Sequence, residues 1–255
     1  MSYRSNIVQG GLLLQPFRDM LLAYRPGQSR PAFSEALTGA GTLAEYTESR
    51  RKDMLERFFA RFPTDVRDWP ALTTLLERGT PHAQALALYF HTARTEALVG
   101  DFARQFLHPA WTSGKHDLPL DDVVGWVRQV TRARGQAWSE SLCLRAGRTL
   151  LSIARDAGLL EGVQRKRLRY PYLPDEVTLY VLLTLRAQGF TTGQRVVAHP
   201  DWRLFLLGDP DVSAHLARLA EQGVIEWSAT GSVYHLHVPL PDGAEAGGEV
   251  MRAVL

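Results

Sequence analysis

Apolar residues recur every three or four positions through much of this 255-residue chain, and this period constrains the fold more than any other feature. The range Leu43–Phe62 fits one helix and Pro81–Pro109 fits a longer one. Thr80 followed by Pro81 is a start signal for the second helix. An N–H at the first helical position has no partner within the helix, so proline loses nothing there by lacking one. The sequence therefore predicts a mainly α protein, with a helical N-terminal domain over residues 1–115.

The second half of the chain combines helices with short extended stretches. Residues 112–119 have turn composition and mark the predicted domain boundary. The elements predicted after it are helices over 120–134, 139–157, 175–188, 202–207 and 211–222, and a hairpin around Ala229-Thr230-Gly231. We therefore predict two helix-turn-helix-like units, the first over 116–173 with a basic wing and the second, winged-helix-like with a small β-hairpin wing, over 174–240. The Gly- and Ala-rich tail over 241–255 is expected to be flexible.

A short internal similarity supports the two units. The segments Leu151–Glu161 and Leu216–Glu226 share a leucine, a glycine, the apolar pair after that glycine and the closing glutamate. A helix, a glycine, an apolar pair and an extended stretch follow one another where a winged helix-turn-helix runs from its recognition helix into its wing. Any helix that ends in a Schellman-type cap before a strand gives a similar pattern, so that structural alternative stays open.

The charge of the chain is strongly segregated. Residues 128–170 hold ten Lys and Arg against three Asp and Glu, whereas residues 171–255 hold five against ten. Such a basic segment indicates a polyanionic partner, although a solvated arginine-rich surface is the plainer explanation. The guanidinium group suits phosphate oxygens and the acceptor edge of guanine. The predicted DNA-binding residues are Arg128, Arg132, Arg134, Arg145, Arg148, Arg165, Lys166, Arg167 and Arg169.

The sequence offers little support for catalysis. Gly39–Ala44 matches a permissive dinucleotide fingerprint, but no strand precedes it, and we interpret it as a helix cap and turn. No phosphate-binding Gly-Lys-Ser/Thr loop or serine-nucleophile elbow is found. His235 and His237 share a strand face without a third ligand, and the single Cys143 is expected to be a buried, inert thiol. We therefore expect no enzymatic activity, cofactor or metal.

Longer apolar runs are also missing. The longest contain only a few residues, such as Leu12 to Leu14, which predicts a cytoplasmic protein without a membrane partner. We expect a monomer that binds double-stranded DNA. Two alternatives stay open, namely an assembly subunit that docks its basic surface on an acidic protein, and an RNA-binding factor similar to antitermination proteins.

The chain resembles the BrxA family, whose members are small core proteins of the bacteriophage-exclusion (BREX) defence systems. The resemblance is carried by the opening Ser5–Leu14, by the arginine-bearing helix around Arg50–Arg61, and by Leu150–Leu160 followed by Tyr170-Pro171-Tyr172-Leu173. It implies a largely helical, non-enzymatic protein with helix-turn-helix elements that binds double-stranded DNA. It also implies action in phage restriction beside a methyltransferase and other BREX proteins, and it supplies no catalytic residues.

Overall fold

The structure, a computed structural model, describes residues 2–5, 11–39, 41–67, 69–231, 233–239 and 246–255. Within them the chain is mainly α-helical with short antiparallel hairpins, which confirms the predicted fold class. The first elements are α1 (Leu14–Ala23), α2 (Arg30–Gly39), α3 (Glu48–Arg61), α4 (Thr64–Arg67), α5 (Pro70–Arg78) and α6 (Pro81–Thr95). Next come α7 (Ala97–Phe102), a π-helical segment (Ala103–Leu107), α8 (His108–Thr112), α9 (Leu120–Ala133) and α10 (Glu140–Asp156). The remaining elements are β1 (Leu160–Glu161), β2 (Arg167–Leu168), α11 (Asp175–Ala187), α12 (Gly193–Val197), a 3₁₀ helix (Pro200–Phe205), α13 (Asp209–Glu221), β3 (Glu226–Thr230), β4 (Val233–His237) and α14 (Ala246–Arg252).

The chain forms two compact units, and each is assembled from separated stretches. Unit 1 takes residues from 1–12, 92–173 and 199–212, and unit 2 takes residues from 13–91, 174–198 and 213–255. This division differs from the consecutive domains expected from the sequence, because the turn-like residues 112–119 lie inside unit 1. No helix formed by the described residues is long and apolar enough to cross a membrane.

The helix expected over Pro81–Pro109 is interrupted twice. Glu96 has an extended backbone and separates α6 from α7. A Cβ at Gly100 would stand 2.3 Å from the carbonyl oxygen of Ala93, so the two helices meet at a close backbone approach. Pro109 lies in the first turn of α8 and does not end the helix. In the π-helical segment directly before α8, each hydrogen bond spans five residues and not the four of an α-helix. This change comes just before Pro109, which has no N–H to donate.

Helix α3 begins later than the apolar pattern suggested. Its N-cap is Thr47, whose side chain accepts a hydrogen bond from the backbone N–H of Arg50 at 3.4 Å. The preceding residues form a turn in which Leu43 N–H donates to the carbonyl oxygen of Leu37 at 3.0 Å. The fingerprint over 39–44 therefore follows a helix and not a strand, although its residue 40 lies outside the described residues.

Aromatic side chains fill the core of unit 2. Phe17, Phe33, Phe58 and Phe62 are fully buried, and their neighbouring ring centroids are 5.4 to 6.0 Å apart. Helix α11 also belongs to this unit. It is buried from Val177 to Leu185, which explains why it is apolar on every side.

The C-terminal tail of unit 2, which was expected to be flexible, contains a helix. Residues 241–245 lie outside the described residues, but the rest of the tail begins with α14, in which Val250 and Met251 are buried. A Cβ at Gly247 would come within 2.9 Å of Trp69 Nε1. Glycine, which indicated disorder in the sequence, instead allows α14 to approach α5 and the residue before it closely.

The predicted C-terminal hairpin is confirmed. β3 pairs antiparallel with β4 from Glu226 opposite His237 to Thr230 opposite Val233. The rings of Trp227 and Tyr234 stack across it, with centroids 5.5 Å apart. Its turn includes residue 232, which lies outside the described residues.

Candidate nucleic-acid interface

Helices α9 and α10 of unit 1 are joined by a short turn, and their boundaries agree closely with the sequence prediction. Ser139 is the N-cap of α10 and accepts a hydrogen bond from Leu142 N–H at 3.3 Å. A Cβ at Gly147 would stand 3.0 Å from Val124 Cγ2, so α9 and α10 pack closely through their buried sides. The opposite side of α10 is thereby left to solvent.

The end of α10 leads directly into a hairpin. Gly158 has φ of 74°, and Leu159 N–H donates to the carbonyl oxygen of Ala154 at 2.9 Å, which is a Schellman cap. At the end of α13, Val224 N–H donates in the same way to the carbonyl oxygen of Leu219. The similarity between the segments Leu151–Glu161 and Leu216–Glu226 therefore corresponds to two equivalent helix ends. Both glycines have positive φ, and both closing glutamates enter a strand.

The hairpin of unit 1 has a third extended stretch beside it. β1 pairs antiparallel with β2, and residues 116–118 lie along the other edge of β2. Leu118 N–H donates to the carbonyl oxygen of Lys166 at 2.9 Å, and Leu168 N–H donates to that of His116 at 2.8 Å. The connection between α8 and α9, which the sequence suggested as a domain boundary, therefore supports the hairpin.

One side of α10 is exposed and rich in arginine. Arg145, Arg148 and Arg155 are exposed, and they share that side with Ser141 and Ser152 at helical spacing. The other side carries buried residues such as Cys143, Ala146 and Leu150. The helix thus presents several guanidinium groups to solvent along more than two turns.

The loop over 162–166, between β1 and β2, has a defined conformation. Gly162 has φ of 84°, and a Cβ there would stand 2.0 Å from the carbonyl oxygen of Arg165. Lys166 Nζ donates to the carbonyl oxygens of Gly162 and Val163 at 2.9 and 2.5 Å. These contacts hold the loop closed while Val163, which is 81% exposed, and Arg165 remain open to solvent.

A cleft of about 620 Å³ separates α10 from this loop. Arg148, Ser152 and Arg155 line it from α10, and Gln164, Arg165 and Lys166 line it from the loop. Leucine side chains and Val163 add apolar surface, and Asp117 contributes a carboxylate. Basic groups that are separated in the sequence are therefore brought to two sides of one cleft.

Arg128 is among the predicted residues that have another partner. Its Nε and Nη2 donate to the two carboxylate oxygens of Glu140 at 3.0 and 2.5 Å. Hydrogen bonding to Glu140 raises the pKa of Arg128, and the same contact lowers the pKa of Glu140. This ion pair joins α9 to the first turn of α10 and neutralises the charge of Arg128.

Arg134 also serves the fold. Its Nη2 donates to Asp101 Oδ2 at 2.7 Å, and its guanidinium carbon lies 4.1 Å from the ring centroid of Tyr3. The Tyr3 hydroxyl donates to the same carboxylate oxygen at 2.7 Å. Burial, followed by the hydrogen bond to Asp101, raises the pKa of Tyr3. The residue that ends α9 therefore holds Tyr3 in place.

Two further predicted residues, Lys166 and Arg167, have polar groups of the protein close to them. The ammonium group of Lys166 is bonded to the loop carbonyls described above. Arg167 stands between Glu161 and Asp117 in the strand pairing, so two carboxylates flank it, although neither forms an ion pair within 4.0 Å.

The other predicted arginines are exposed, and no described carboxylate lies within ion-pairing distance of them. This set, together with Arg167, consists of Arg132, Arg145, Arg148, Arg165, Arg167 and Arg169. We call these six residues the arginine surface.

Sequence reasoning missed Arg155 and Ser152. Arg155 lines the cleft and also pairs with the neighbouring Asp156, 3.2 Å away. The signal was present, because Arg155 follows Arg148 by seven residues and therefore lies on the same side of a helix. Gln164 was missed because a loop carries no period that assigns its side chains to a surface.

The equivalent helix α13, most of which belongs to unit 2, is less basic. Arg218 Nη2 pairs with Asp175 Oδ1 at 3.0 Å and also lies 2.6 Å from His215 Nδ1, and His215 is buried. His235 and His237 are exposed on one face of β4. The described residues contain no cluster of three or more His, Cys, Asp or Glu that could hold a metal ion.

Cys143 is 1% exposed, as predicted, and burial raises the pKa of its thiol. A thiol with a raised pKa is less ionised near neutral pH and therefore less nucleophilic.

Comparisons with known proteins agree with the resemblance inferred from the sequence. The crystal structure of an uncharacterized protein from Magnetospirillum magneticum is similar, with a TM-score of 0.60 and 18% identity over 80% of this chain and 98% of that chain. At this identity the likeness concerns the fold alone. No curated protein matches the chain. The model of the BrxA family matches residues 1–182, so the chain belongs to the BrxA family and is a component of a BREX phage-defence system.

Proposed function

We propose that this BREX component binds double-stranded DNA through unit 1 without changing the DNA chemically. The observation that carries the proposal is the cleft between α10 and the loop over 162–166, which exposed arginines line from both sides. Guanidinium groups match phosphate oxygens and the acceptor edge of guanine, so such an arrangement suits a nucleic-acid duplex.

The order of elements supports the same function. A strand-like segment, α9, a turn, α10 and a two-stranded hairpin follow one another as in a winged-helix module. In helix-turn-helix proteins the second helix enters the major groove. We therefore assign α10 as the recognition helix and the loop over 162–166 as the tip of the wing.

Most of the binding free energy is expected to come from phosphate contacts, which carry no sequence information. If each of the six members of the arginine surface neutralises one phosphate, the log–log slope of affinity against salt concentration is roughly −5. The proposal assigns no catalytic residue.

The first experiment measures the affinity of the whole chain for a fluorescent mixed-sequence duplex. The triple variant Arg165→Glu, Arg167→Glu, Arg169→Glu is expected to bind at least tenfold more weakly, because three phosphate contacts become repulsive. A matched control replaces Arg25, Arg78 and Arg252, exposed arginines of unit 2, by glutamate and therefore changes the net charge equally. Unchanged binding by the first variant, or an equal loss in both, would show that the proposed surface is wrong.

A competition experiment separates this proposal from docking on an acidic protein. Unrelated duplex DNA is expected to displace the labelled duplex at physiological salt, whereas poly-L-glutamate of equal charge displaces it weakly. Stronger competition by the polypeptide would favour the acidic-partner alternative, and stronger competition by RNA would favour the RNA-binding alternative.

A further inference from the structure

The loop over 162–166 has features that phosphate binding alone does not require. Val163 is 81% exposed at its tip, although an apolar side chain gains nothing from water. Gln164 and Arg165 are exposed beside it, while Lys166 is turned back onto the loop carbonyls. The loop therefore presents an apolar group, an amide and a guanidinium on a closed support.

The cleft determines where these groups can lie on a duplex. The major and minor grooves are separated by one sugar–phosphate strand, and α10 and the loop are separated by one cleft. Arg148, Ser152 and Arg155 on the side of α10 can donate to the phosphates of a strand that passes between them. A strand seated there would place α10 in one groove and the loop in the adjacent groove.

We infer that the loop over 162–166 enters the minor groove and gives the protein a preference for A·T base pairs, with Arg165 as the specificity-determining residue. This inference rests on the proposed function. An A·T-rich minor groove is narrow and strongly negative, which attracts arginine, and its floor offers only acceptors to Arg165 and Gln164. Guanine places an exocyclic amino group on that floor and would obstruct Val163.

The test compares three alternating duplexes, dA–dT, dI–dC and dG–dC, with the whole chain. Inosine presents the same major-groove acceptors as guanine but lacks the amino group in the minor groove, so the last two duplexes differ only there. We expect dI–dC to bind about as tightly as dA–dT and about fivefold more tightly than dG–dC.

Two variants locate the preference. Arg165→Lys keeps the charge but has a more strongly hydrated group, and it is expected to reduce the difference between dI–dC and dG–dC to less than twofold. Arg78→Lys, the same substitution at an exposed arginine of unit 2, is the matched control and is expected to preserve that difference.

Equal binding of the wild-type protein to all three duplexes would overturn the minor-groove inference and leave the proposed function intact. Retained discrimination in Arg165→Lys would overturn the assignment of Arg165. Failure to bind any of the duplexes would overturn the proposed function itself.

Discussion

Individual arginines between residues 128 and 170 have different tasks. Arg134 binds Asp101 and covers the ring of Tyr3, whereas Arg148 faces the cleft. The net charge of the segment therefore overstates the charge that is available to a ligand. The residues committed to the fold are recognised only from the contacts that they make in the structure, such as the one between Arg134 and Asp101.

Glu140→Gln is expected to strengthen DNA binding. The substitution removes the carboxylate that neutralises Arg128 and so frees one guanidinium beside the start of α10. We expect roughly threefold tighter binding and a salt slope steeper by about 0.9, the value of one added phosphate contact. Fluorescence anisotropy at several salt concentrations measures both. Glu221→Gln, an equal charge change at the end of α13, serves as the control, and equal tightening by the two would contradict a local effect.

Arg134→Ala is expected to affect stability more than binding. It leaves Asp101 with fewer charge-assisted hydrogen bonds and uncovers Tyr3, so the free energy of unfolding should fall by about 1–2 kcal/mol. Arg145→Ala, on the exposed side of α10, is expected to show the reverse pattern. Urea unfolding and DNA titration of both variants distinguish the two, and a binding defect in Arg134→Ala equal to that of Arg145→Ala would contradict the structural role.

The elements differ in how far the sequence predicts them. The limits of α9 and α10 follow from local signals, namely the apolar period, the Ser139 cap and Gly158. The packing of α14 depends on the distant Trp69, and the apolar period does not change at the interruption by Glu96. The nine predicted binding residues lie in one segment of the sequence, but their ion pairs and the cleft arise only from tertiary structure.

The conformation of the hairpin loop provides a prediction at this scale. Gly162→Ala would place a Cβ 2.0 Å from the carbonyl oxygen of Arg165 at a positive φ, so the loop must rearrange. We expect DNA affinity to fall about threefold or more while the melting temperature changes little, because the loop is exposed.

Gly231→Ala is the matched control for that variant. Gly231 also has positive φ, but it lies in the turn after β3, and a Cβ there meets no atom of the described residues within 4 Å beyond its chain neighbours. Its DNA affinity should remain that of the wild type. Equal losses of affinity in Gly162→Ala and Gly231→Ala would contradict a specific role of the loop over 162–166.

At the scale of the whole molecule, two half-buried histidines of unit 1, His108 and His199, make its stability depend on pH. Burial lowers the pKa of His108 below the ordinary value of 6.5, and the positive charge of Arg203 adds to this effect while Asp211 opposes it. Burial also lowers the pKa of His199.

The unfolded chain therefore binds more protons than the folded chain as the pH falls below 6.5. The free energy of unfolding should be fully retained above this value and decrease on acidification towards the folded-state pKa values. Urea unfolding between about pH 7.5 and 5.5 measures the decrease. His108→Gln should reduce it, and exposed His237→Gln should not. An unchanged pH profile in His108→Gln would contradict the contribution of that side chain.

The hydrogen bonds from residues 116–118 to β2 have a consequence for how such a module can diversify. Strand neighbours alternate sides with every residue, so adding or deleting one residue after α8 would either buckle the linker or reverse which side chains face inward. The strand pairing therefore constrains the length of this linker, and a change of one residue there would shift the hairpin relative to α10 without any substitution in either element.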